Sequence, residues 1–252
     1  MKISVITAVY NGEDYIRETV ESVLNQKGDF ELEYIICDGK STDRTLEILE
    51  EYRECCRIYS NKDKSPQDAI NKGMNLATGD IACWLNADDV FEPGSLQKVA
   101  AAFNKHPDLQ WLYGKCHIIN DQKEIIRRPV TFYKNLIGIF YSYNLLLCEN
   151  YINQPATFWR LDLWHKAKKL NPSYKAAWDY ELWLRMAEMA RPLHLRKYLS
   201  SFRRHDNSIS EKYFEKQFAE ELEIAKKHGS WWHVLIHKFN TWKTVTVYKL
   251  IS

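Results

Sequence analysis

The segment Leu85-Asn86-Ala87-Asp88-Asp89 sets two adjacent carboxylates at the end of an apolar run, Asp80-Ile81-Ala82-Cys83-Trp84. Such a run predicts a buried strand, with the carboxylates at its carboxyl end, where open α/β sheets bind ligands. Neighbouring carboxylates repel each other, and a fold accepts them most readily around a cation. The competing reading is a solvated turn, with Asp88 or Asp89 capping a helix that Pro93 opens. Two further polar termini, Tyr10-Asn11-Gly12 and Asp38-Gly39, close the apolar run at 3–9 and a second strand expected over 32–37. All three are expected on one sheet edge.

The elements that must position them alternate at short spacing. After the strand at 3–9, a helix is predicted over 14–26, with Ile16, Val20, Val23 and Leu24 on one face. A strand over 32–37, a helix over 45–52 and a short strand over 57–60 follow. Pro66 opens a helix over 66–77, with Gly79 just past its end, and another helix runs from about 94 to 103. This order predicts an α/β fold with a mostly parallel, doubly wound sheet and helices on both faces. Neither a GxGxxG fingerprint nor a P-loop occurs, which removes the usual support for dinucleotide binding or ATP hydrolysis. The second half is less regular. Strands are expected over 109–120, 124–128 and 156–160, an aromatic and Leu-rich stretch over 132–152, and a helix over 179–189.

The chain has 252 residues and a net charge of +2, ample for a large core and poorly suited to general nucleic-acid binding. The charge is unevenly spread. After Glu223 there are five lysines and no Asp or Glu, so this tail carries about +5 and the rest about −3. From Trp231 onward, helical spacing gathers Trp232, Leu235, Ile236, Phe239, Trp242 and Leu250 on one face, interrupted by Lys243. That composition suits a helix lying in the interface of an anionic bilayer; the alternative is a helix packed on the domain. The β-branched 244–248 segment opposes a helix at the end. The six cysteines lack metal-site spacing, which predicts reduced thiols and a cytoplasmic setting. The N-terminus enters a strand directly without a signal-peptide layout, and no apolar run reaches the ~18 residues of a membrane span.

Taken together, Thr7-Ala8-Val9-Tyr10-Asn11-Gly12, the run Asp38-Gly39-Lys40-Ser41-Thr42-Asp43-Arg44-Thr45 and Asn86-Ala87-Asp88-Asp89 resemble the family 2 glycosyltransferases of GT-A fold. Asp68-Ala69-Ile70-Asn71-Lys72-Gly73 with Ala77-Thr78-Gly79-Asp80 resembles the bacterial surface-polysaccharide members, of colanic-acid, capsule or O-antigen type. The likeness continues through Asn153-Gln154-Pro155, Trp178-Asp179-Tyr180-Glu181 and Phe202-Arg203-Arg204-His205. It implies a GT-A domain over 1–212, with a nucleotide-sugar half at 1–105 and an acceptor half at 106–212. The remainder, 213–252, would be a basic, aromatic, helical tail that associates with membrane.

By the same resemblance, Ala8, Val9, Tyr10 and Asn11 line the base pocket and Asp38 bonds the base or ribose. Lys64 and Asp68 approach the nucleotide from its far side. Asn86, Asp88 and Asp89 stand at the DXD-type motif, with Asn86 in place of the usual first Asp. Asp88 or Asp89 would ligate Mn²⁺ or Mg²⁺ on the diphosphate, approached by His205 before the turn at Asp206-Asn207-Ser208. Arg203 and Arg204 would clamp phosphate or pair with surface acids, and Gln154 would meet donor sugar or acceptor. Asp179 matches the catalytic base, with Glu181 as substitute; the plainer role for Asp179 is a helix cap. The activity implied is inverting, metal-dependent transfer from a nucleotide-diphosphate sugar, UDP-sugar favoured. The acceptor would be a glycan on a polyprenyl diphosphate at the inner face of the cell membrane. The rivals are a sugar nucleotidyltransferase and a non-catalytic nucleotide-binding scaffold. The first expects a Gly-rich phosphate loop where Tyr10-Asn11-Gly12 stands; the second finds its support in Asn86.

Overall fold

The computed structural model describes residues 1–205 and 208–251, without the side chains of 209, 210 and 247–251. The turn expected at Asp206-Asn207 and the side chain of Leu250 lie outside the described residues. Strand β1 (Lys2–Val9) is buried along nearly its whole length, as a central strand of a parallel sheet must be. Helix α1 (Ile16–Leu24) turns Ile16, Val20 and Val23 inward, and β2 (Glu31–Asp38) pairs with β1 in parallel. After α2 (Thr45–Glu50), β3 (Arg57–Ser60) extends the sheet beside β2. Helix α3 (Pro66–Leu76) starts at a Ser65 cap, whose Oγ accepts from the Asp68 N–H at 3.3 Å. It ends at Ala77 in an extended conformation, so Gly79 is no helix cap. Gly79 is instead required because a Cβ there would sit 2.8 Å from the backbone nitrogen of Ser4.

Strand β4 (Ile81–Trp84) is fully buried and lies on the other side of β1. Neither Asp88 nor Asp89 caps a helix. A short β5 (Val90–Phe91) intervenes, and α4 (Ser95–Lys105) begins after Gly94 at a φ of 70°. The sheet is completed by β6 (Trp111–Ile119), β7 (Thr157–Arg160) and β8 (Leu193–Arg203), in the order β3-β2-β1-β4-β7-β6-β8-β5. Only β7 and β5 run against the others, so among the described residues the sheet is mixed but mostly parallel.

Residues 124–128 form no strand: a single bridge, Ile119 to Ile125, precedes the left-handed Arg127 that opens α5 (Arg128–Ile139). The aromatic stretch divides into α5 and α6 (Tyr143–Cys148). Leu146 and Leu147 are core, whereas Phe132, Leu136 and Phe140 face outward. Helix α7 (Leu161–Ala167) follows β7, and α8 (Trp178–Met189) precedes β8. The core is rich in tryptophan. Trp183 of α8 stacks on Trp84 of β4 at 5.7 Å and on Trp111 of β6 at 5.9 Å, which ties the two halves of the sheet through one helix.

After α9 (Ile209–Lys212), α10 (Phe214–His228) and α11 (Trp231–Ile251) pack on the domain. The tail is helical despite its β-branched end, and it lies polar side down. His237 Nδ1 meets the Leu147 carbonyl at 3.0 Å, Asn240 donates to the Cys148 carbonyl at 3.1 Å, and Lys243 donates to Tyr133. Trp231, Trp232, Leu235, Ile236, Phe239 and Trp242 point away, between 37% and 75% exposed. Among the described residues, no helix is long and apolar enough to cross a membrane.

Candidate active site

The carboxyl ends of β1 and β2 carry two loops that are laced together. Asn11, at a φ of 52°, accepts the Thr42 N–H on its Oδ1 at 2.8 Å and gives its own N–H to Ser41 Oγ at 2.9 Å. Gly12 donates to Thr45 Oγ1 at 2.8 Å, and Glu13 exchanges bonds with Asp43 and Arg44. Val9 is buried and Ala8 half-buried beneath this lacing, while Tyr10 stands 63% exposed above Gly39. Asp38 is fully buried and turned into its own loop. It accepts from the N–H groups of Lys40 and Ser41 and from the Ser60 hydroxyl at 2.6 Å, which fixes the floor under Tyr10. Asp68 accepts the Lys64 N–H at 3.1 Å and pairs with Lys72 at 3.0 Å. These bonds, the backbone one foremost, hold its carboxyl below the usual range. Lys64 itself is exposed.

The acidic turn after β4 is tied down by groups distant in sequence. Asn86 donates to Asp89 Oδ2 at 3.0 Å and to Gln154 Oε1 at 3.1 Å, and Gln154 donates to the Trp84 carbonyl at 2.7 Å. Asp89 is fully buried, and its other oxygen accepts the Arg203 N–H at 2.9 Å. Burial and the adjacent Asp88 carboxylate push the Asp89 carboxyl well up. Asp88 instead opens outward and meets His205 Nε2 at 3.0 Å. The two aspartates therefore differ: Asp89 is spent on structure and Asp88 is available.

Arg203 holds this arrangement from below. Its buried guanidinium donates to the Asp88 carbonyl at 3.0 Å, the Asn120 carbonyl at 3.1 Å and Glu18 at 2.6 Å. It also lies 5.0 Å from the Tyr15 ring, which packs on His205 at 4.7 Å. So Arg203 is a buttress, whereas Arg204 pairs with Glu211 and faces the neighbouring cavity.

That cavity, of about 490 Å³, is bordered by Asn86 and Gln154 from the acidic turn and by Asp179 on α8. Lys134 of α5, Glu221 of α10 and Lys243 of α11 are among its charged lining. Asp179 does not cap its helix: it stands in the first turn, after Ala177 at the cap position, and accepts the Tyr180 N–H at 2.7 Å. Its carboxyl is pushed up to about 7, mainly by burial and in part by repulsion from Glu221, against that hydrogen bond and Lys134. Glu181 is engaged by Arg185 at 2.6 and 2.8 Å on the far side of the turn. An acceptor hydroxyl in this cavity would find a carboxylate poised near neutral pH beside the turn that ends β4.

Several groups escaped the sequence. Tyr15 and Glu18 read as ordinary polar positions of an amphipathic helix, and Glu220-Glu221 as a solvated face. No local signal distinguishes them. Apart from Gln217 beside Glu221, the partners that fix them are more than 40 residues away.

Comparison with known proteins bears on the family and the fold. The glycosyl transferase family 2 model matches residues 4–162. Chondroitin synthase of Escherichia coli is 29% identical over 202 residues, 77% of this chain but 28% of that much longer protein. A PGL/p-HBAD biosynthesis glycosyltransferase of Mycobacterium bovis is 29% identical over 90% of this chain and 86% of its own. Among solved structures, S. aureus TarS 1-349 in complex with UDP-GlcNAc superposes with a TM-score of 0.70 at 21% identity, over 89% of this chain and 65% of that one. The mannosyltransferase PcManGT of Pyrobaculum calidifontis, in complex with GDP-Man and Mn²⁺, gives 0.70 at 17% identity, over 90% and 65%. The fold is GT-A.

Proposed function

Because the chain belongs to glycosyl transferase family 2, we propose that it transfers a sugar from a nucleotide-diphosphate donor to a glycan hydroxyl, inverting the anomeric carbon. The observation that carries this reading is Asp179: a carboxyl near neutral in pKa, in a cavity whose wall is shared with the turn Asn86–Asp89. Asp179 takes the acceptor's proton as the new C–O bond forms. The bond from the anomeric carbon to the diphosphate breaks on the opposite side, and the diphosphate leaves with the electron pair. Tyr10 and Asn11, on the laced loops, flank the nucleoside, with Val9 and Ala8 beneath and Asp38 fixing the floor. Lys64 and Asp68 border its far side, Gln154 meets the sugar, and Arg204 lies toward the phosphates. A UDP-sugar is the favoured donor, in line with the UDP-GlcNAc complex of TarS.

The residues present fit a divalent cation. Asp88 and His205 offer one carboxylate oxygen and one imidazole nitrogen 3.0 Å apart, both partly open. Among the described residues no cluster of three or more potential ligands forms. A hard cation that keeps its other positions for water and phosphate oxygens needs no more, which suits Mg²⁺ or Mn²⁺. Asp88 and His205 are therefore its ligands in this reading, with buried Asp89 bracing the turn. When bound, the cation supplies positive charge to the departing diphosphate.

We further propose that the exposed face of α11, together with Phe132 and Leu136 of α5 and Phe140 just after it, rests on the inner face of the cell membrane. The acceptor would then be a polyprenyl-diphosphate-linked glycan for a surface polysaccharide. The decisive experiment is thermal stabilisation by UDP, GDP, dTDP and CDP, each with and without Mn²⁺. One base should give a Mn²⁺-dependent shift that Asp88→Ala abolishes. No shift with any nucleotide would refute the donor site.

A further inference from the structure

Helix α10 lies beyond the span matched by the family model, yet one of its side chains binds the chain just before α8 and the next lines the cavity of Asp179. Glu220 is buried, and its carboxylate accepts the N–H groups of Lys175, Ala176 and Ala177 at 2.8 to 3.1 Å. Those donors immediately precede α8, so the N-terminus of the helix that carries Asp179 is capped by a different helix. Glu221, also buried, lines the same cavity as Asp179 and is held by the amides of Asn150 at 3.1 Å and Gln217 at 3.0 Å.

We infer that α10 is part of the catalytic apparatus, with Glu220 positioning the Asp179 turn and Glu221 as the second carboxylate that faces the base across the cavity. The inference rests on the reading of Asp179 as general base and deepens it. The other charged or titratable groups in the cavity wall are engaged elsewhere or act in the opposite sense. Arg204 pairs with Glu211, Glu149 accepts from Tyr133, Lys243 donates to Tyr133, and His237 meets a carbonyl. Arg127 is on the same wall, and Lys134 favours the ionised form of Asp179. Burial and Glu221 work together against that ionised form. A carboxylate so opposed is a stronger base toward a sugar hydroxyl than one left at its ordinary value.

The test needs no substrate. In full-length protein with ¹³Cγ-labelled aspartate, the Asp179 resonance is assigned by its loss in Asp179→Asn, and its titration is followed with pH. Glu221→Gln should lower its midpoint by about one pH unit, Glu221→Asp should leave it near the wild-type value, and Gln217→Glu should raise it. The Gln217→Glu arm stands even if Glu221→Gln does not fold. Separately, Glu220→Gln should speed amide exchange at residues 175–177 by roughly tenfold. An unmoved midpoint in both Glu221→Gln and Gln217→Glu overturns the role of Glu221. Unchanged exchange overturns that of Glu220. Should Asp179→Asn retain transfer activity while the midpoints still shift, the base reading fails and the coupling between the two carboxylates survives.

Discussion

Replacing Asp179 by Asn should make the protein more stable above neutral pH while removing its activity. The carboxyl sits at about 7 in the fold against an ordinary 3.8. The native state therefore retains a proton there that the unfolded chain has already released, and stability falls as pH rises between those values. Below about pH 4 both states are protonated and the term is fully favourable; above about 7 it is fully lost. The whole interval corresponds to ~4 kcal/mol. Asp179 keeps part of its surface open to the cavity, where water screens the charge, which trims this to about 2 kcal/mol. The Asn side chain has the same shape and still accepts the Tyr180 N–H, so little else changes. For a chain of this size the variant should melt ~4–8 °C higher at pH 8, with the gap closing as pH falls towards 5. Differential scanning fluorimetry across pH 5 to 8.5 on both proteins measures it. A variant that melts lower at pH 8, or a gap that does not change with pH, would refute the reasoning about burial at this site.

Arg203→Met should cost about 2 kcal/mol in urea unfolding, because it takes the guanidinium from the part-buried carbonyls of Asp88 and Asn120 and leaves Glu18 with Lys123 alone, and it should also abolish the nucleotide response by freeing Asp88. A loss under about 1 kcal/mol would mean that the guanidinium is no buttress. Phe239→Ser with Trp242→Ser should leave the melting temperature within about 2 °C, since both side chains are exposed. The same double variant should abolish flotation with vesicles containing anionic lipid. Undiminished flotation would take the α11 face out of the membrane reading.

The sheet edge that carries Tyr10, Asp38 and Asp88 was legible because each of its parts is local. Largely apolar runs at 3–9, 34–37 and 81–84 mark buried parallel strands, and the polar residues after each run land on the same edge. Strand β8, which delivers Arg203 and His205, has no such pattern. Its pairing with β6 slips near Gly114 and Lys115, so Leu195 faces Gly114 while Tyr198 faces Lys115. Alternation along Leu193-His194-Leu195-Arg196-Lys197-Tyr198 is lost as a result. Asn86, Asp88 and Asp179 could be picked out as types, but the division of labour between Asp88 and Asp89 could not. It depends on Arg203 N–H and on burial, both set by a strand more than 100 residues away.

The tail shows the same limit from the other side. Helical spacing marked the face of α11 that holds Trp232, Leu235, Ile236, Phe239 and Trp242, yet a packed helix would ordinarily turn that face to the core. Here the domain takes the opposite face through His237, Asn240 and Lys243. In water, that choice leaves six large apolar side chains exposed on one helix, at a cost on the order of 1 kcal/mol or more each. The membrane contact proposed above would cover this face, and the five lysines without an acid after Glu223 suit an anionic surface. Because Asn240, Thr241, Lys243 and Thr244 also line the Asp179 cavity, the helix proposed to meet the bilayer is itself a wall of that cavity. On that proposal, a lipid-linked acceptor would have only to reach across one helix to bring its sugar hydroxyl to Asp179.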